Sequence, residues 1–340
     1  MLTSLDLCSG GGGELLGLEA AGFMAVAAVD NDQFSCRTLR QNRPNLQVIE
    51  SDLRQIDGRD FRGVDLIAGG VPCPPFSIAG KQHGAADERD LFPQALRLIR
   101  QARPHAVFLE NVPGFASSKF DAYRTDLITQ LQRLGYMVEW RVLQAAHFGV
   151  PQLRPRFILI GLKRRYAARF IWPESQYETS TVGQTLHDLM GERSWPGVTT
   201  WAGRASGIAP TLVGGSKKHG GPDLGPTRAK REWERLGVDG LGLANEAPLP
   251  DFPVDGLPRL TVRMTARLQG FPDSWGFAGG KTAAYRQVGN ALPPPVAQAV
   301  GAAVASALTG STRRRRIPVR PVILQSGLWD SNLVSEAVAM

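Results

Sequence analysis

The chain has 340 residues, 43% of them hydrophobic, with a formal charge of +8 and a sequence pI near 9.7. That content supports a sizeable core and excludes a disordered chain, and the positive excess points to an acidic partner such as nucleic acid. Three cysteines, Cys8, Cys36 and Cys73, make no disulfide framework and show no metal-ligand spacing, so no bound metal is expected. No secretory leader opens the chain, and no apolar run approaches the ~20 residues of a membrane span, so a cytoplasmic protein without membrane contact is expected.

Leu2 to Leu7 reads as a short buried strand, followed by Cys8-Ser9-Gly10-Gly11-Gly12-Gly13 and a helical stretch from Glu14 to Ala21. Strand, glycine turn and helix open a nucleotide-binding sheet, because glycine lets a ligand approach the backbone. The same glycines also suit a plain tight turn, so the loop counts only with its neighbours. A second strand, 23–29, ends in Asp30, where an acid suits a ribose whose hydroxyls need an acceptor. Strands at 46–49 and 64–68 follow, the latter running into Gly69-Gly70-Val71-Pro72-Cys73-Pro74-Pro75-Phe76-Ser77. Prolines on both sides hold Cys73 in a constrained, non-helical position. A packed core cysteine is the plain alternative. Leu91 to Arg103 reads as a helix and 106–109 as a strand closed by Glu110, ahead of an Asn111-Val112-Pro113-Gly114 turn. In a helix from Tyr123 to Leu134, apolar residues recur at spacings of four, four and three, and Gly135 caps it. Strands at 137–143 and 157–161 complete the alternation.

Alternating strand and helix predicts an α/β fold with a doubly wound, mostly parallel sheet. Ligands bind such sheets beyond the strands' carboxyl ends, so the glycine turn, Asp30, the Cys73 loop and Glu110 are expected at one crevice. From 166 to 282 periodicity fades. Trp201-Ala202-Gly203-Arg204 and Gly214 to Gly225 read as loops, and Thr227 to Leu236 as one short helix. The expected division is a catalytic domain at 1–165 plus 283–310, a smaller irregular domain at 166–282, and a flexible basic tail at 311–340 carrying Arg313 to Arg316. Pro293-Pro294-Pro295 opens a helix from Val296 to Leu308. Between Arg141 and Pro173 seven lysines and arginines occur without an acid, a solvated face or a phosphate contact.

Several blocks in order carry a resemblance. They are Asp6-Leu7-Cys8-Ser9-Gly10-Gly11-Gly12-Gly13, Asp30 and Asp32, Asp52, Pro72-Cys73 and Glu110-Asn111-Val112. Gly149-Val150-Pro151-Gln152-Leu153-Arg154-Pro155-Arg156, Arg267-Leu268-Gln269-Gly270-Phe271-Pro272-Asp273 and Gln287-Val288-Gly289-Asn290-Ala291-Leu292-Pro293-Pro294 close the set. Over nearly all of 1–305 the chain resembles the cytosine-5 DNA methyltransferases of bacterial restriction-modification systems. The resemblance implies S-adenosylmethionine as cofactor and a cytosine rotated out of double-stranded DNA as substrate. It makes Cys73 the nucleophile and Glu110 the acid at the ring nitrogen, with Arg154 and Arg156 beside them favouring the thiolate. Cofactor contacts are expected from Cys8, Gly10, Gly11, Gly12, Gly13, Asp30, Asn31, Asp52, Pro72, Leu91, Asn290 and Ala291. Domain 166–282 becomes a target-recognition domain, with Ser77, Gln152, Arg204, Thr211, Leu212, Lys217 and Lys218 as DNA contacts. The enzyme is expected to act as a monomer on DNA, alongside a restriction endonuclease cutting the same site. Cys8 stands where phenylalanine is usual, Pro74 where glutamine is, and Met264 where glutamate is common, so an ion pair is not expected at Met264.

Three other readings share parts of this pattern. A branch of the same family methylates transfer RNA, a non-catalytic DNA-binding regulator can keep the scaffold, and a nicotinamide dehydrogenase shares the glycine turn.

Overall fold

The computed structural model describes residues 1–73, 90–175, 179–215 and 221–310. Ser77, Lys217, Lys218 and the tail at 311–340 lie outside the described residues. Seven strands form one sheet: β1 (Leu2–Leu7), β2 (Phe23–Asp30), β3 (Gln47–Glu50), β4 (Leu66–Gly69), β5 (Ala106–Asn111), β6 (Tyr136–Gln144) and β7 (Pro155–Lys163). Their order is β3-β2-β1-β4-β5-β7-β6, with β1 to β5 parallel and β7 antiparallel to both its neighbours. Each expected strand is present, with ends displaced by one or two residues.

Helices α1 (Gly13–Ala20), α2 (Gln33–Asn42), α3 (Phe92–Ala102) and α4 (Asp121–Arg133) fill the crossovers. The second of these is polar along most of its length and gives little apolar signal; Asp32 starts it by accepting from the backbone N–H groups of Phe34 and Ser35.

The order reverses between β1 and β4, which opens a crevice beyond their carboxyl ends. The register places Leu7 opposite Val29 and Gly69, and Gly69 opposite Leu109. Cys8, Asp30, Gly70 and Glu110 therefore follow at one edge of the sheet.

The segment 166–282 is more helical than its texture suggests. After α5 (Arg164–Ala167) come α6 (Val182–Met190), α7 (Val198–Arg204), α8 (Thr227–Arg235) and α9 (Val262–Leu268). Val182, Leu186, Met190, Trp195, Trp201, Trp233 and Leu260 form a separate core here. Trp201 to Arg204, expected as a loop, is the end of α7. Trp201 is fully buried and its Nε1 donates to Gly237 O at 2.9 Å. One anchoring tryptophan in seven residues is too short a pattern for periodicity to register. At α9, Met264 Sδ accepts from the Thr261 N–H at 3.4 Å, so a buried thioether closes the helix start where an acid would normally do so.

The last two helices are α10 (Lys281–Asn290) and α11 (Pro294–Thr309), with prolines in the first turn of α11 as expected. By length and composition Lys281–Thr309 is apolar enough to cross a membrane, against the expectation that no such run exists. It is two helices, and Val296, Val300 and Val304 pack into the core under the sheet.

Alternate residues of each strand face opposite layers. Ile67, Val107 and Leu109 meet Leu98, Leu127 and Leu131 of α3 and α4. Leu66, Ala106 and Phe108 meet Leu18 of α1 and the valines of α11. The chain rejoins this body before residue 283, since Ala266, Phe271 and Trp275 pack with Leu15, Ala28 and Leu39.

Candidate active site

A cavity of about 570 Å3 opens at the point where the strand order reverses. Cys8, Gly10, Gly11 and Gly13 line it from the first loop, Asp30 and Asn31 from the end of β2, and Asp52 from beyond β3. Pro72 after β4, Leu91 before α3, Asn290 at the end of α10 and Ala291 just after it bring all of the expected set but Gly12 around one space. Asp30 is fixed by two backbone N–H donors, Gly10 to Oδ2 and Asp32 to Oδ1, both at 2.8 Å. Asp52 accepts from the Arg54 N–H and pairs with its guanidinium at 2.8 Å.

Gly12 departs from the expectation. Its φ of +85° suits glycine, and a Cβ there would lie 2.7 Å from Trp275, so it faces packed side chains and not the cavity.

Glu110 and Arg156 bring charge to the same space. Register sets Glu110 opposite Ile158, which makes Arg156 its diagonal neighbour on the same face. Arg156 Nε lies 2.9 Å from Glu110 Oε1, an ion-pair contact without hydrogen-bond alignment, and both side chains are only 10% exposed. Burial pushes the Glu110 carboxyl above its usual range, while Arg156 and Arg154 pull it partly back.

Cys73 is half-buried and does not itself line the cavity. Its thiol donates to Asn111 Oδ1 at 3.2 Å, and Asn111, which does line the cavity, is held by donating to Val71 O. Burial pushes the Cys73 pKa up to about 11, and the acids Asp90 and Glu110 add to this. The expectation that arginines favour the thiolate is therefore overturned for this state.

The model for C-5 cytosine-specific DNA methylases matches residues 2–221 and 224–306. The chain belongs to this family. It is 50% identical over 322 residues to the type II methyltransferase M.NaeI of Lentzea aerocolonigenes, covering 93% of this chain and 78% of the relative. It is also 50% identical over 310 residues to M.NgoMIV of Neisseria gonorrhoeae, covering 90% and 98%. Among solved structures, the Entamoeba histolytica methyltransferase EhMeth shares the fold with a TM-score of 0.65 at 15% identity, over 91% of this chain and 99% of that one. A mutant of Spodoptera frugiperda DNMT2 does so at 0.63 and 17%, over 90% and 100%. The chain is a C-5 cytosine DNA methyltransferase of the type II restriction-modification kind, and the dehydrogenase reading falls away.

In this methyltransferase three residues expected at the chemistry or on DNA serve as a buried joint. Arg154 is fully buried, and its guanidinium donates to the carbonyls of Leu212 at 2.7 Å, Gly289 at 2.6 Å and Ala291 at 3.0 Å. It does not line the cavity. Gln152 is fully buried too: it donates to Gln269 Oε1 and Leu268 O and accepts from the Leu212 N–H. Leu212 lies in the 166–282 core. These two side chains face the interior because each satisfies backbone groups that would otherwise be buried unpaired. The joint is tight: a Cβ on Gly289 would lie 2.4 Å from the Gly214 nitrogen.

Thr211 Oγ1 donates to Leu153 O at 2.5 Å, and exposed Arg204 donates to Asp255 O and Gly256 O at 3.3 Å each. Neither lines the cavity.

Sequence reasoning missed Glu14, Arg286 and Gln287, which also line the cavity. Glu14 looks like a solvated acid in a first helical turn, and its only signal is the apolar company of Leu15, Leu16 and Leu18. Among the described residues no group of three or more His, Cys, Asp or Glu is placed to hold a metal ion.

Proposed function

We propose that this methyltransferase moves a methyl group from S-adenosylmethionine to carbon 5 of a cytosine rotated out of a specific DNA duplex. A transient bond from Cys73 to carbon 6 of that ring carries the reaction. The observation supporting this most is the meeting of Glu110, Asn111 and the glycine loop at one cavity, with the Cys73 thiol 3.2 Å from Asn111.

The cavity suits the donor. Its volume is within the few hundred Å3 typical of small-molecule sites, and it offers carboxylate acceptors to hydroxyl and amino groups. Asp30 would hold the ribose, Asp52 the adenine amino group, and Gly10, Gly11 and Gly13 the methionine portion. When bound, the donor supplies the electrophilic methyl that carbon 5 takes up.

Cytosine is electron-poor at carbon 5. Addition of the Cys73 sulfur at carbon 6 turns carbon 5 into an enamine-like nucleophile. The thiol loses its proton as the carbon–sulfur bond forms. Glu110, whose pKa burial raises, gives a proton in its acid form to the ring nitrogen beside the carbonyl and is left as the carboxylate. Arg156 holds Glu110 in place and receives it as a carboxylate once that proton has gone. After methylation a solvent water takes the carbon 5 proton, the carbon–sulfur bond breaks as the ring nitrogen returns its proton to Glu110, and the Cys73 sulfur regains from solvent the proton it had released there. A base within a duplex is out of reach, and rotation costs a few kcal/mol.

Segment 166–282 reads the flanking bases in this scheme, and the +8 charge favours phosphate contact. The enzyme acts in the cytoplasm as a monomer on DNA, and methylation shields the site from a cognate endonuclease. The test is covalent trapping on duplex DNA containing 5-fluorocytosine, with tritiated methyl donor and a transfer RNA control. An adduct that survives denaturation and disappears in Cys73→Ala is expected. Label on RNA alone, or an adduct that persists without Cys73, would overturn the proposal.

A further inference from the structure

The mechanism above leaves one buried pair of acids without a task. Glu14, in the first turn of α1, is 5% exposed, and Asp6, on β1, is 1% exposed. Neither carboxyl oxygen of Asp6 has a hydrogen-bond partner among the described residues, nor does Oε1 of Glu14. Glu14 lines the cavity beside Gly13. An unpaired acid in such a place costs free energy in the empty protein, so it requires either a proton or a cation.

Among the described residues the surroundings supply no cation to the pair. Asp6 on β1 and Glu110 on β5 act on Glu14 with charge of its own sign. Asp30 at the end of β2 and Glu19 on α1 act in the same sense on Asp6. The two arginines lining the cavity are drawn elsewhere, Arg156 to Glu110 and Arg286 to Asp32. The N-terminal end of α1 favours a carboxylate, but burial and three neighbouring acids outweigh it. Burial, aided by these neighbours and opposed at Asp6 by the Ser9 hydroxyl, raises both carboxyls well above their usual range, Asp6 up to about 8.

Resting on the proposed cofactor reading, we infer that Glu14 is the counter-ion for the cationic methionine end of the methyl donor, and that the Glu14–Asp6 pair releases a proton to solvent when that cation binds. The empty pocket stores the proton because a lone buried carboxylate is worse than a neutral acid. The arriving cation reverses that preference: the carboxyl O–H bond breaks, the proton leaves to buffer, and an ion pair replaces the neutral acid. Affinity for the donor accordingly rises with pH up to the range where the empty pair would ionise unaided, and is flat above it.

The experiment is calorimetric titration of the full chain, without DNA, at neutral pH in two buffers of different ionisation enthalpy. The ligands are S-adenosylmethionine, S-adenosylhomocysteine and 5′-methylthioadenosine. Wild type is expected to release up to about one proton with the first ligand and none with the third, which carries no cation. S-adenosylhomocysteine keeps the ammonium group and lacks the sulfonium, so its proton count tells which centre Glu14 faces. Glu14→Gln, nearly isosteric and with a melting temperature no lower than wild type as its control for folding, should abolish the release. It should weaken S-adenosylmethionine about ten- to hundredfold, the range for one hydrogen bond to a charged group, while leaving methylthioadenosine unaffected. Tight binding to wild type with no proton released, or equal proton counts in wild type and Glu14→Gln, would overturn the role of Glu14 alone. Failure of wild type to bind S-adenosylmethionine at all would overturn the cofactor site as well.

Discussion

At Glu110 burial favours the acid form that the proposed chemistry would use. Its carboxyl is buried, raised above the usual range, and steadied by Arg156. Glu110→Gln should lower methyl transfer by about 10²- to 10⁴-fold, the usual contribution of a general acid, with duplex affinity nearly unchanged. Single-turnover rates and a gel-shift titration check this, and equal losses in both would contradict the role. Wild-type turnover should fall as pH rises through the Glu110 value, because only the protonated form donates. The positions of Cys73 just after β4 and of Glu110 near the end of β5 were legible in the sequence, since a proline-flanked loop and a strand-ending glutamate are local patterns. The raised thiol of Cys73 was not, because it depends on burial and on Asn111, 38 positions away.

Among the elements, the turn between β6 and β7 carries more structure than chemistry. Its Gln152 and Arg154 tie the sheet to residues 212, 268–269 and 289–291, with Gln269 donating to Ala291 O at 2.6 Å. Arg154→Ala leaves the carbonyls of Leu212 and Gly289 without this donor, each costing about 1–3 kcal/mol when left unsatisfied, while Ala291 O keeps Gln269. Unfolding free energy should fall by about 2 kcal/mol or more, read by urea denaturation, with methyl transfer declining only as folded protein is lost. A stable Arg154→Ala that has lost activity would return this residue to the chemistry. All seven strands were legible, and β1, β4, β5 and β7 most plainly, because strands buried on both faces read as apolar runs. Helices α2, α6, α7 and α9 were not, being short or polar and held by caps and single tryptophans. Gln152 and Leu212 pointed to DNA only through the motifs around them, and burial can be known only after the chain is packed.

At the scale of the whole molecule, the acids beneath the cavity set a pH dependence. The Asp6 carboxyl ionises near 3.8 when exposed and near 8 in the fold, where burial holds its proton. The unfolded chain therefore binds fewer protons than the native one between these values, and ligand-free stability falls as pH rises from about 4 to about 8. Asp6→Asn should flatten this decline, raising the melting temperature relative to wild type by about 2 °C or more at pH 8 and by less at pH 5. Calorimetric scans at both pH values without ligand check it, and parallel wild-type and variant curves would contradict it. The cysteines share a related restraint. Cys8, Cys36 and Cys73 all sit with raised pKa values, chiefly through burial. Peroxide and alkylating reagents attack the deprotonated sulfur, so the raised pKa values should slow the reaction of all three thiols with both kinds of reagent at neutral pH.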